Sequence, residues 1–181
     1  MELITTKDIL LRGTAWDKAA EAYKNIFRSR PLYNLFILAA SIGIIYDQRI
    51  EKLEENGEQP KNLPRNVIDN QERIDHRFDV MAQTAILQTK TFDYSDDERM
   101  KMAFDDQDTR INALDLLEEF ANFGVTKLVE KIGATELETM ENIKDYLIAT
   151  VEGSNFDINA IPDEDILEEL DESVISEETN E

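Results

Sequence analysis

Between Leu35 and Tyr46 the chain reads LFILAASIGIIY, twelve residues in which Ser41 and Gly43 alone break an apolar run. A membrane span takes about 20 such residues, so this stretch is too short to be one. As a helix it would have no polar face. Such a helix has to be covered on every side, which places it at the centre of a domain. The rest of the chain must wrap it.

The flanking sequence supports helices rather than strands. Gly (6) and Pro (4) are scarce in the 181 residues, and 41% of them are hydrophobic, which favours long elements with few breaks around a real core. Thr14, with Asp17 three residues on, is expected to cap a helix reaching about Ser29, with Trp16, Ala19, Ala20, Tyr23 and Phe27 facing inward. Pro31 stops that helix, because the residue before a proline avoids the helical region, and suits the first turn of the next. Gly43 ends the apolar helix, or Ile44–Glu55 continues it. Asn56–Asn66 is expected to be a loop, with Gly57, Pro60 and Pro64 as breakers. A helix from Asp69 or Asn70 to about Thr89 follows, turning Ile74, Phe78, Met81, Ala85 and Leu87 inward. Ser95 is expected to cap a short helix, Asp96–Phe104, whose first acids complement the helix dipole. Asp108 or Thr109 opens a regular helix with Ile111, Leu114, Leu117, Phe120 and Ala121 on one face, interrupted or ended at Phe123-Gly124, with a further turn or two over Val125–Ile132 closed by Gly133. Thr135 and Glu138 have capping-box spacing. They begin a helix to about Thr150 along Leu137, Met140, Ile143 and Leu147.

The expected organisation is an all-α domain of five to seven helices over residues 1–152 and an acidic tail over 153–181. The stretch 155–181 has no basic residue and is rich in Asp, Glu, Ser and Asn, the composition of a disordered segment. Within it, residues 163–175 form an amphipathic pattern through Ile166, Leu167, Leu170, Val174 and Ile175. Such a short helix is marginal alone. It either belongs to a solubilising tail or docks on a surface.

Charge is distributed unevenly. The formal net charge is −21; residues 1–53 are slightly basic, with 8 cationic against 6 acidic side chains, whereas residues 152–181 carry 12 acids and no base. Free nucleic acid would be repelled, since its binding is dominated by cationic contacts to phosphate. A basic partner protein would be attracted. With no cysteine, disulfides and thiolate sites are excluded, which fits a reducing compartment. The opening residues Met1–Asp8 have no basic patch ahead of an apolar run. The expectation is a cytoplasmic protein outside the membrane.

No familiar catalytic pattern is present. One histidine, His76, cannot supply a zinc site or two Glu-x-x-His pairs. There is no Gly-x-x-x-x-Gly-Lys loop, no Gly-x-Gly turn and no Gly-x-Ser-x-Gly elbow, and none of the ten lysines follows an acid at the Asp/Glu-x-Lys spacing. Adjacent acids such as Glu118/Glu119 and Asp105/Asp106 are expected by chance among 40 acidic residues. The expectation is therefore no enzyme, with no catalytic residue, metal ligand or cofactor. The candidates for partner binding are Arg28 and Arg30, beside Tyr23 and Tyr33, and the tail residues Ile166, Leu167, Leu170 and Val174.

Two stretches carry a family resemblance. Phe36-Ile37-Leu38-Ala39-Ala40-Ser41-Ile42-Gly43 resembles an "apolar-x-Ala-Ala-x-x-Gly" helix near the start of the small accessory proteins of DNA phosphorothioation (Dnd) modification and restriction loci. The run Arg110–Val125 resembles the later "Leu-Glu-Glu-Tyr-Ala-Asn-Gly-Gly" segment of that family, with Phe120 in place of Tyr and Phe123 in place of the first Gly. The resemblance could cover residues 5 to about 132. It implies a non-catalytic, all-helical accessory subunit of a bacterial DNA-modification or phage-defence system, working through contacts with larger protein subunits of a DNA-processing complex. It transfers no catalytic residue. The alternative, from charge, is an acidic inhibitor or DNA mimic, phage-encoded for example, that blocks a nucleic-acid-binding enzyme.

Overall fold

The structure, a computed structural model, describes residues 8–54, 57–105 and 111–153. In chain order these form β1 (Ile9–Leu11), α1 (Thr14–Tyr23), α2 (Pro31–Tyr46), β2 (Lys61–Leu63), α3 (Arg65–Asp75), α4 (Arg77–Gln88), α5 (Asp96–Phe104), α6 (Ala113–Val129) and α7 (Glu136–Gly153). The fold is all-α, with seven helices among the described residues. The chain divides into two units, Met1–Lys144 and Asp145–Glu181. The expected tail and its 163–175 pattern lie outside the described residues. No helix among the described residues is long and apolar enough to cross a membrane.

The apolar helix does sit at the centre. Tyr33, Leu35, Phe36, Ala39, Ala40, Ile42 and Gly43 of α2 are all buried. Gly43 does not end the helix; Asp47 does, in the left-handed conformation (φ 49°). The amide of Gln48 donates to the Gly43 carbonyl (3.1 Å) and that of Asp47 to Ile44 (3.0 Å), the paired bonds of a Schellman motif. Aspartate tolerates this conformation better than most side chains.

The principal partner of α2 is α6, and two glycines set their separation. A Cβ on Gly43 would collide with the backbone carbonyl of Phe120, and a Cβ on Gly124 with that of Ala39. The expected interruption at Phe123-Gly124 is thus a correction: α6 passes through it unbroken to Val129. A glycine in mid-helix costs about 1 kcal/mol of propensity, and close backbone packing outweighs that here. Phe123 does not crowd the approach, because Gly124, one position on, makes it.

Aromatic rings tie further helices to this pair. Trp16 of α1 stacks on Phe36 (6.3 Å between centroids, 17°), and Phe36 on Phe78 of α4 (5.6 Å, 15°). Trp16 Nε1 donates to the side-chain oxygen of buried Asn122 (2.9 Å), whose amide donates to the Ile50 carbonyl (3.1 Å). Tyr23 donates its hydroxyl to the Leu128 carbonyl (3.0 Å). Burial pushes the Tyr23 hydroxyl above its ordinary pKa.

Other expectations need revision. Thr14 is the first residue of α1, not its cap; Gly13 holds the cap position at φ 101°, and α1 is regular only to Tyr23. The loop expected over Asn56–Asn66 contains β2, which pairs antiparallel with β1, Ile9 opposite Leu63 and Leu11 opposite Lys61. Three residues are too few to show an alternating pattern. The single helix expected over Asp69–Thr89 starts earlier and is two helices, broken at His76, which takes the left-handed conformation (φ 47°). The break resets the helical phase, so Ile74 and Leu87 face outward while Phe78, Ala82, Ala85 and Ile86 are buried. On the expected inner face of α7, Ile143 is buried as expected, but Leu137 and Met140 are 65% and 50% exposed and Thr139 is buried instead. By contrast α5 matches its expectation. Ser95 and Glu98 form the reciprocal capping box.

Candidate functional site

Arg28 and Arg30 lie on the irregular connection from α1 to α2. After Tyr23 the chain makes one more turn, closed by the Phe27 amide donating to the Tyr23 carbonyl (2.9 Å). That turn leaves Lys24 and Arg28 one turn apart and both exposed. Arg30 then takes the N-cap of α2 in the left-handed conformation (φ 49°), and its side chain does not cap the helix. The Asn34 side chain donates instead to the Ser29 carbonyl (2.7 Å), holding the bend.

The bend shapes one wall of a surface cleft of about 420 Å³, lined by Lys24, Asn25, Arg28, Pro31 and Glu136. Glu136, from the first turn of α7, is held by the amide of Asn25 (2.5 Å). Among the described residues Lys24, Arg28 and Arg30 form no ion pair and no side-chain hydrogen bond. The α2 terminus adds the partial positive charge of its free N–H groups. Chemically this cleft can attract and orient an anion.

Of the sequence candidates, the structure therefore brings Arg28 and Arg30 to one end of α2. Ile166, Leu167, Leu170 and Val174 lie outside the described residues. Lys24 was missed, although its position four residues before Arg28 signals a shared helical face. Nothing in the sequence signalled Glu136, which is 111 positions from its partner Asn25.

Elsewhere, charged groups that meet inside the fold join its parts. Arg49 pairs with Glu119 (2.9 Å) and lies over the Phe92 ring (4.4 Å from its centroid) and the Phe120 ring (5.8 Å). Arg99 donates through Nη1 to the Thr89 and Ile86 carbonyls, through Nη2 to Phe92 (2.8 Å) and through Nε to Tyr94 (3.1 Å). A second, larger groove of about 520 Å³ beside β1 is lined by Leu10, Arg12, Glu51, Lys52, Leu53, Glu118 and Asn122, a mixed set with no convergent charge. Among the described residues no three His, Cys, Asp or Glu side chains are grouped to hold a metal ion.

At the other end of α2, Ile45 and Tyr46 are 47% and 42% exposed. The Tyr46 ring lies 6.1 Å from that of Phe123 on α6, and Lys127 sits over Phe123 at 5.7 Å. The two helices thus present apolar side chains on their shared outer seam. No family model, curated protein or solved structure matches the chain.

Proposed function

We propose that the chain is a non-catalytic accessory subunit of a bacterial DNA-modification or phage-defence system, acting in the cytoplasm through protein–protein contacts. The observation that carries this reading is the surface formed by Ile45 and Tyr46, both exposed, with half-buried Phe123 beside the Tyr46 ring. Isolated apolar side chains on a surface are ordinary, but adjacent large ones at a helix seam are the usual material of an interface. The resemblance to Dnd-associated accessory proteins adds support: its first stretch lies in α2 and residues 113–125 of its second lie in α6, the helices that build this seam.

The test is purification of the tagged full-length chain from its host after mild cross-linking, with the captured partner identified and the complex reconstituted from pure components. The expected outcome is a stoichiometric complex with a DNA-processing protein. The double variant Ile45→Asp/Tyr46→Asp should weaken it at least tenfold, while the melting temperature of the subunit changes by no more than about 2 °C, as surface substitutions usually do. Turnover of a substrate by the pure chain would overturn the non-catalytic reading.

The exposed acids of α5 (Asp96, Asp97) and α7 (Glu136, Glu138, Glu141) favour a second reading, an acidic inhibitor that mimics DNA. Such a contact would weaken steeply with salt, as duplex binding does. The apolar seam would be nearly indifferent to it.

A further inference from the structure

We infer that the cleft between the α1–α2 connection and the first turn of α7 is the docking site for an acidic peptide segment of a protein partner. This rests on reading the chain as a protein-binding subunit, and it names a second contact, at the opposite end of α2 from the apolar seam.

The start of α2 is electrostatically mismatched. A helix is stabilised by acids in its first turn and weakened by cations there. Three acids open α5 and two open α7. The first turn of α2 has none, and Arg30 occupies its N-cap without capping it. Arg28 and Lys24 line the cleft that ends at Pro31, the residue after Arg30. In a chain with 40 acids and 19 bases, acidic neighbours are plentiful, yet among the described residues none pairs with these three. Like charges gathered at the positive end of the central helix repel one another until an anion arrives from outside.

The cleft also limits what that anion can be. Arginine forks match carboxylates and phosphates, so either chemistry suits Arg28 and Arg30. A long nucleic acid would carry its phosphates past Glu136 in the cleft wall and the exposed Glu138 and Glu141. These lie along the same helix, within the ~10 Å over which charges interact at 0.1 M salt. A peptide can place two or three carboxylates in the cleft and direct the rest away. Asn25 keeps the Glu136 carboxylate engaged, which leaves Lys24 and Arg28 to the incoming side chains.

The probe is a fluorescein-labelled deca-glutamate peptide titrated into the full chain at 50 mM salt, followed by anisotropy and by backbone amide shifts. Binding is expected, with shifts concentrated on residues 24–33. Arg28→Glu/Arg30→Glu should weaken it at least tenfold and Arg28→Gln/Arg30→Gln by a smaller factor, with thermal melts unchanged. The inference is overturned if no shift appears at 24–33, if both double variants bind as the natural chain does, or if a ten-nucleotide single strand binds there more tightly than the peptide. Its failure is separable from that of the broader reading. If the charge-reversed chain still forms the reconstituted complex at full strength, the cleft inference falls and the accessory-subunit reading stands. If the peptide binds as expected but no partner complex forms, the reverse holds.

Discussion

Gly124 looks, in the sequence, like the end of a helix. Its context gives it a different task. With Phe123 before it and no proline after it, nothing local distinguishes a helix-ending glycine from one that lets another backbone approach. The backbone of Ala39 decides the matter, because any side chain at 124 would overlap its carbonyl. We expect Gly124→Ala to destabilise the fold by about 3 kcal/mol or more, at the upper end for overpacked cores, since the obstructing atoms are backbone and cannot swing aside. Urea unfolding measures this; a loss under about 1 kcal/mol would mean that α2 and α6 separate easily. Asp8 provides a pH-dependent counterpart. Its carboxylate accepts the Arg65 amide (2.8 Å) and the Asn62 side chain (2.9 Å), and these bonds hold its pKa below the ordinary aspartate value. A lowered folded-state pKa stabilises above the unfolded pKa and is lost as pH falls through the folded one. Asp8→Asn should therefore lower the melting temperature at pH 7. The gap to the natural chain should close as pH falls below about 4; a gap that persists at pH 2 would contradict this assignment.

At the scale of elements, legibility followed the range of the interaction. The start of α5 could be read because Ser95 and Glu98 satisfy each other within one turn. The break between α3 and α4 could not: Asp75-His76-Arg77 contains neither Gly nor Pro, yet His76 takes φ 47°. The segment from Thr89 to Tyr94 is likewise held from a distance, by Arg99. Its guanidinium gathers carbonyls from the end of α4 and from the connection to α5, groups that would otherwise lack donors. Arg99→Ala should cost about 2–3 kcal/mol, because several charge-assisted bonds are lost together. Arg99→Lys should recover less than half, since one ammonium cannot reach carbonyls that the planar fork spans. Equal stability of the lysine variant and the natural chain would sink this account.

For the whole molecule, the apolar run Leu35–Tyr46 demanded a central helix with others around it, and the architecture follows that demand. Burial of an α2 without a polar face outweighs every local preference nearby. The sequence also located the basic connection at Arg28 and Arg30, since their type and separation are visible without a fold. It could not locate the cleft. Glu136 and Pro31 meet there only after α7 is placed, and the mismatch at the start of α2 exists only once Arg30 becomes its cap. The Tyr46–Phe123 seam was hidden similarly, because both residues sit in segments that read as core.

Composition and periodicity thus determined the class of fold, the helix that must be central and the capping of α5, all consequences of hydrophobic burial or of contacts within a turn. Tertiary structure alone decided that Gly43 and Gly124 are packing residues, that His76 divides a helix and that a cationic cleft opens where α2 begins. Each of those depends on atoms far apart in the chain, whose encounter no local pattern encodes.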